Sequence, residues 1–484
     1  MGATLVSAKK WAESQWGTAP LGDIRLVRRA IQMGEAMSRH PNWSLPRQME
    51  DSTTLKAAYN LLNDYRITLE QLSAPHWRQT RQEAAREADV LFLQDTTVLD
   101  YSHHRTKKGL GPIGDGRGRG LLLHTALAVV PGETPRLLGM AHQQVVLRKP
   151  TPKPRPAGYV TAEGRVWARA TEAVGQAPDD VRWVHVGDRG SDDFEFMHRT
   201  RQMHADFLIR VKHNRILTWE EDVGVEMRKM KDYARSLPAE YKYQMDLPAL
   251  HQRKARTAQM RLAWARVTIP PPATGQRELR CQPPISAWLI RTWEVNAPLD
   301  VDEPLEWILI TSVPVKTVED ALKRIGWYSH RWLTEEYHQC LKTGCAIEKR
   351  QFDHADDICR LLGFCAPIAV RLLQIRQMAR LNPDAPAVGI IDPLTVQILI
   401  ERLPRTPVQP LTLRDFWRGV AQLGGYQGRR SDGPPGWRTI WKGWQYLNDL
   451  VDGARLCQSV MLRQQLWDAC QPNADANLDR SNLT

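Results

Sequence analysis

Between residues 85 and 215 the chain carries apolar runs of strand character, VLFLQDTTVLDYSH, LLLHTALAVV, LLGMAHQQVVLR, VRWVHVGDRG and DFLIRVKHNR, with helical spacing at 160–175 and 192–204. β-Branched and leucine-rich runs of this length bury both faces of a sheet, and intervening helices must cover it. An α/β sheet is therefore the expected framework. The remaining segments are read as additions to it.

Two of these runs end on carboxylates: Asp95 follows VLFLQ and Asp188 follows VRWVHVG. Each is expected at a strand end or just beyond, exposed from a buried sheet. One such aspartate is more often a turn or cap residue, and Asp100, Asp192 and Asp193 compete nearby. The third carboxylate comes from Trp327–Gly344, WYSHRWLTEEYHQCLKTG. This stretch holds strong helix formers and no glycine or proline before Gly344, which predicts one helix.

At about 100° per residue, Tyr328, Arg331, Glu335 and Lys342 fall within an arc of roughly 60°. Glu336 lies about 80° from Tyr328 on the far side, so Glu335 is the better ligand. A carboxylate among an Arg, a Lys and a Tyr suits an anionic backbone beside a metal ion. Hard divalent cations want oxygen ligands, and Mg²⁺ takes a few carboxylates plus water and phosphate oxygen. Two ions about 4 Å apart can activate an attacking oxygen and stabilise a leaving one, with no protein nucleophile. Asp95, Asp188 and Glu335 together meet that need.

Residues 1–70 read as a helical unit in which Ile24, Val27 and Ile31 pack while Arg25, Arg28 and Arg29 form a cationic face suited to DNA. A second helix follows the cap-rich Asp51-Ser52-Thr53-Thr54, with Leu55, Ala58, Tyr59 and Leu62 in register. The loop 111–120, GPIGDGRGRG, reads as a basic hairpin because it lacks the GK[ST] ending of a Walker loop. Strand-like segments at 222–304 form a β-rich insertion. Proline-rich stretches at 149–156, 269–276 and 382–393 punctuate the chain, the last as a domain boundary. Beyond 394 the chain is helical, with Trp437, Trp441, Trp444, Leu447 and Val451 in one packing stripe.

The net charge of +12 favours a polyanionic partner, nucleic acid first. No stretch reads as an apolar membrane span and no secretion signal is evident, so a cytoplasmic protein is expected. The seven cysteines contain no CxxC pair, and buried thiols are expected rather than zinc.

Asp95 in QDTT, Asp188 in GDRGSDD and the Y-x2-R-x3-E-x6-K pattern of Tyr328, Arg331, Glu335 and Lys342 resemble the DDE transposases of the insertion-sequence-four group, above all the transposon-five type. The likeness extends to LGDIR at 21, RVKHNR at 210, PLEWILITSVPV at 304 and LGGY with the spaced tryptophans. It implies an α/β, ribonuclease-H-like catalytic domain in two parts, 71–221 and 305–385, split by the β-rich insertion 222–304. An N-terminal domain, 1–70, would read transposon ends, and a C-terminal helical domain, 386–484, would dimerise the protein.

The resemblance further implies a cut-and-paste reaction on double-stranded DNA. Terminal inverted repeats are bound, the element leaves through a hairpin intermediate, and its 3′ ends join target DNA. Two Mg²⁺ ions per site, replaceable by Mn²⁺, would be held by Asp95, Asp188 and Glu335. Tyr328, Arg331 and Lys342 become DNA contacts, Trp307 a stacking platform for a flipped base, and Arg210 and Lys212 phosphate contacts. A nucleoid-associated bacterial homodimer is implied. The second motif departs from the common D-R-E-A-D in reading Asp188-Arg189-Gly190-Ser191-Asp192, and Gln339 stands where lysine is common.

Overall fold

The computed structural model describes residues 8–49, 51–104, 106–149, 163–221, 224–247, 255–298, 304–403, 410–429, 432–433 and 435–470. The proline-rich stretch at 149–156 lies outside the described residues from Pro150 onward. Residues 8–377 form one compact unit and 378–484 belong to another.

The first unit opens with helices α1 (Ala8–Trp16), α2 (Ile24–Arg39), α3 (Leu45–Gln48), α4 (Ser52–Leu62) and α5 (Leu69–Ala84). Their starts are set by capping side chains: Asp23 accepts from Arg25 N, Asp51 from Thr54 N, and Thr68 with Gln71 forms a capping box. The buried face of α2 is Val27, Ala30, Met33, Gly34 and Met37. Ile24, expected to pack, is 60% exposed. Ile24 lies off this face by helical phase, and the face docks closely at Gly34, where an added Cβ would lie 2.1 Å from the Trp16 ring. Arg25 and Arg28 are exposed and Arg29 half-buried.

The strands are β1 (Asp89–Asp100), β2 (Gly111–Ile113), β3 (Gly118–Val130), β4 (Arg136–Val146), β5 (Arg182–Gly187), β6 (Asp206–Arg210), β7 (Ile216–Glu221), β8 (Gly224–Lys229), β9 (Tyr241–Leu247), β10 (Arg256–Ile269), β11 (Ile285–Val295) and β12 (Glu306–Thr311). They form one twelve-stranded sheet of order β2-β3-β1-β5-β6-β12-β11-β10-β7-β8, with β4 on β3 and β9 on β10. The basic loop 111–120 is a hairpin, β2 pairing with the start of β3. Strands of the 222–304 segment extend the same sheet, because β11 pairs with β12 and β12 with β6. The β1–β5 and β5–β6 pairs are parallel. Helices α6 (Val166–Val174), α7 (Phe194–Gln202), α8 (Met230–Ser236) and α9 (Arg277–Arg280) lie along this part of the chain. Trp167, Phe194 and Phe196 share an apolar cluster with Phe207, Ile209, Leu289 and Ile310.

After β12 come α10 (Val318–Ser329), α11 (Trp332–Gln339) and α12 (Ala355–Leu381). By length and composition α12 is apolar enough to cross a membrane, which the sequence reading did not anticipate, but 83% of its apolar window is buried inside the protein. Trp16 Nε1 donates to Gly363 O at 3.2 Å, and a Cβ at Gly363 would lie 2.6 Å from Leu72, so α12 is a core helix under α1 and α5.

The second unit contains α13 (Pro393–Arg402), α14 (Leu413–Leu423) and α15 (Trp437–Cys470). The tryptophan stripe packs within it: Trp444 stacks on Trp417 at 5.3 Å, Trp437 on Trp441 at 5.8 Å, and Leu447 and Val451 are buried. The C-terminal half of α15 exposes Leu456, Val460, Met461 and Leu462. Among the cysteines, 340, 345 and 365 are buried as expected, whereas 281 and 457 are exposed.

Candidate active site

The register of the parallel strands explains how two distant aspartates meet. In the β1–β5 pair Leu93 is opposite Val186. Two residues further on, Asp95 and Asp188 stand level, one on each strand. Asp188 lies just past the end of β5, as expected. Asp95 does not end its strand: β1 runs on to Asp100 because β3 pairs with it throughout, Asp95 opposite Thr125. The carboxyl emerges where the neighbouring strand stops rather than where its own does.

Gln94, pointing the other way, fixes this stretch from behind. It bonds His124 Nε2 at 3.0 Å, His185 Nδ1 at 2.8 Å and Thr171 Oγ1 at 3.0 Å, all buried. A buried polar network of this kind rigidifies a strand.

The expected single helix at 327–344 is three segments. Between α10 and α11 the backbone bonds are of the i to i−3 kind, His330 N to Trp327 O, Arg331 N to Tyr328 O, Leu333 N to His330 O and Thr334 N to Arg331 O. Thr334 Oγ1 lies 2.8 Å from Arg331 O and 3.2 Å from Asp95 Oδ2, so its one proton is shared between these two acceptors. Back-bonding hydroxyls bend helices, and this one is held by the site carboxylate. After Gln339 the chain enters a π turn, Cys340–Gly344. The wide turn breaks the 100° progression, and Lys342 Nζ lies 3.5 Å from Glu348.

Arg331 lies between two carboxylates, 3.4 Å from both Asp95 Oδ2 and Glu335 Oε1. Glu336 turns away and pairs with Arg376 at 3.1 Å in a largely buried contact. Behind the helix, Gln143 donates to Thr125 Oγ1 and to Tyr337 Oη, tying α11 to the strand pair that carries Asp95. The Asp95 side chain is 13% exposed. Burial, then the charge of Asp188, pushes its carboxyl up to about 6, with Arg331 opposing and Glu335 adding to the rise. Asp188, Asp95 and Glu335 thus share one field, which Arg331 partly compensates.

Tyr328 is buried, and its phenol is raised by burial against the opposing pull of Arg331 and Arg210. Its ring meets Trp307 edge-on at 5.2 Å. Trp307 is half-buried on β12, not core. Arg210, at the end of β6 beside it, is half-buried, and Lys212 is exposed. The structure therefore brings Asp95, Asp188, Glu335, Arg331, Tyr328, Trp307 and Arg210 into one region, with Lys342 further along in the π turn.

The competing aspartates are engaged elsewhere. Asp192 Oδ2 accepts from Lys212 N at 2.6 Å and His213 N at 2.7 Å, and its other oxygen pairs with Arg215. Asp193 caps α7, and Asp100 accepts from Ser102. One residue escaped the sequence reading: atoms of Asp95, Glu335 and His338 capable of holding a metal all lie within 4.8 Å of one another. The available signal was Glu335-x-x-His338, an i, i+3 spacing that metal-binding helices use.

Residues 8–67 match the family described as Transposase DNA-binding, and residues 367–462 match the Transposase Tn5 dimerisation domain. A solved structure described as a cryo-EM structure of piggyBac transposase synaptic complex with hairpin DNA is similar over 93% of this chain and 83% of that one, at TM-score 0.34 and 10% identity. A likeness that weak carries no inference. The two domain matches at opposite ends of a mixed α/β chain define a DNA-binding transposase, a class that cleaves DNA and transfers strands. Within that class the chain is of the Tn5 type.

Proposed function

We propose that this transposase acts by cut-and-paste: it binds terminal inverted repeats, excises its element through a hairpin intermediate, and joins the 3′ ends to target DNA. The observation that carries the proposal is the meeting of Asp95, Asp188 and Glu335, from β1, the β5 end and α11, within a chain that matches a transposase DNA-binding family at 8–67 and the Tn5 transposase dimerisation domain at 367–462. The sheet arrangement, with Asp95 on β1 and Asp188 just past the parallel neighbour β5, is consistent with a ribonuclease-H-like core. We take the domains as 1–70 for end reading, 71–221 and 305–385 for catalysis, 222–304 as insertion and 386–484 for dimerisation in the bacterial cytoplasm.

The residues fit divalent metal. Asp95 is raised by burial and by its acidic neighbours, a crowding that a cation relieves. Asp95, Asp188 and Glu335 would hold two Mg²⁺ or Mn²⁺ ions. Such a pair supplies activation of the attacking oxygen and stabilisation of the leaving one. The protein's own groups do the rest. Arg331, freed from its two carboxylates, is placed to take a phosphate oxygen, with Tyr328 beside it and Lys342 further along the strand. Trp307 offers a face for an extruded base, a contact of about 1 to 3 kcal/mol. Arg210 and Lys212 would steady backbone phosphates, as would Arg25, Arg28 and Arg29 at the end sequence.

The test is incubation of purified protein with Mg²⁺ or Mn²⁺ and a labelled fragment carrying the element's terminal repeats. Flush excision through a hairpin is expected. Equal cutting of unrelated DNA would overturn the reading.

A further inference from the structure

We infer that His338 is a nitrogen ligand in this ion site, completing a three-residue set with Asp95 and Glu335 and biasing the site towards Mn²⁺ over Mg²⁺. The inference rests on the metal reading above and specifies it. Three observations carry it. The ligand atoms of the three residues lie within 4.8 Å of one another. His338 stands one helical turn after Glu335, so both side chains leave α11 on neighbouring positions of one face.

The third observation is the condition of the imidazole itself. His338 is 5% exposed, and among the described residues its Nε2 is buried without a hydrogen-bond partner. A buried ring nitrogen is normally bonded, and leaving one without a partner is costly. Nearby Gln143 and Tyr337 bond each other rather than this ring.

The chemistry then sets the preference. Carboxylate oxygens serve Mg²⁺ and Mn²⁺ alike, whereas imidazole favours transition ions. One nitrogen in the set therefore separates two ions that an all-oxygen site would treat similarly.

The experiment uses the full-length protein with Mn²⁺ alone, read by pulsed electron paramagnetic resonance and by Mn²⁺ titration with Mg²⁺ competition. Wild type is expected to show ¹⁴N coupling from a directly bound imidazole. His338→Gln and His338→Ala should lose that coupling and weaken Mn²⁺ binding about tenfold or more, with Mg²⁺ binding changed less. Two substitutions of different size, each checked for native circular dichroism, separate ligand loss from misfolding. Coupling that persists in His338→Gln, or is absent from wild type that binds Mn²⁺, overturns the assignment. Glu335→Gln distinguishes the levels: if it abolishes Mn²⁺ binding while wild type shows no nitrogen, only the histidine assignment falls. If it leaves Mn²⁺ binding untouched, the carboxylate site falls with it.

Discussion

Two adjacent glutamates should give opposite phenotypes. Glu335 is 45% exposed, and its ion pair with Arg331 is 3.4 Å long within one helix. Exposed i, i+4 pairs contribute about 0–1 kcal/mol, and removing this charge also relieves Asp95. Glu335→Gln should therefore leave stability within about 0.5 kcal/mol of wild type while abolishing cleavage.

Glu336 and Arg376 are 13% and 11% exposed at 3.1 Å. Removing one member of a buried pair strands the other and costs about 3 kcal/mol or more. With a urea slope of about 3 kcal/mol/M for a unit this large, Glu336→Gln should lower the unfolding midpoint by about 1 M. Cleavage per folded molecule should survive. Urea titration followed by tryptophan fluorescence, with single-turnover cleavage of a labelled transposon end, reads both quantities. A destabilised but active Glu335→Gln beside a stable, inactive Glu336→Gln would refute the assignment of the two faces of α11.

Three further outcomes follow from the packing. His76 is bonded at both ring nitrogens, to Gln15 and to Met140 N, and burial lowers its pKa from 6.5 to about 4. Its folded pKa lies below the unfolded one, so its stabilisation is full above pH 6.5 and is lost as pH falls towards 4, about 3 kcal/mol in all. Urea midpoints measured across that range should decline, and less so in His76→Gln. Gly34→Ala places a Cβ against Trp16 and should cost about 1–3 kcal/mol by thermal or urea unfolding. Asp192→Ala removes the acceptor of Lys212 N and His213 N and strands Arg215, so about 3 kcal/mol of stability should be lost, with Mn²⁺ affinity by titration unchanged.

Much of the framework was legible because it depends on local pattern. Apolar runs marked β1, β3, β4, β5 and β6, cap residues marked α4, and the choice of Glu335 over Glu336 followed from helical phase alone. What escaped depends on partners distant in sequence. Nothing near Asp95 shows that β3 extends β1 past the end of β5. The contact of Thr334 with Asp95 joins residues far apart in sequence, and the π turn at Cys340–Gly344 breaks the helical phase on which the placing of Lys342 rested. Ile24 falls off the buried face of α2, which is set by its contact with Trp16, a residue outside the helix. The apolar α12 is a core helix only by virtue of what surrounds it.

The most direct test of the account is the position of Mn²⁺ in crystals of the protein bound to a cleaved transposon end, located by anomalous scattering. Density is expected between the carboxylates of Asp95, Asp188 and Glu335, with the DNA 3′ end against it and Arg331 moved onto phosphate. Mn²⁺ held by other residues, with Arg331 still paired to Asp95 and Glu335, would contradict it.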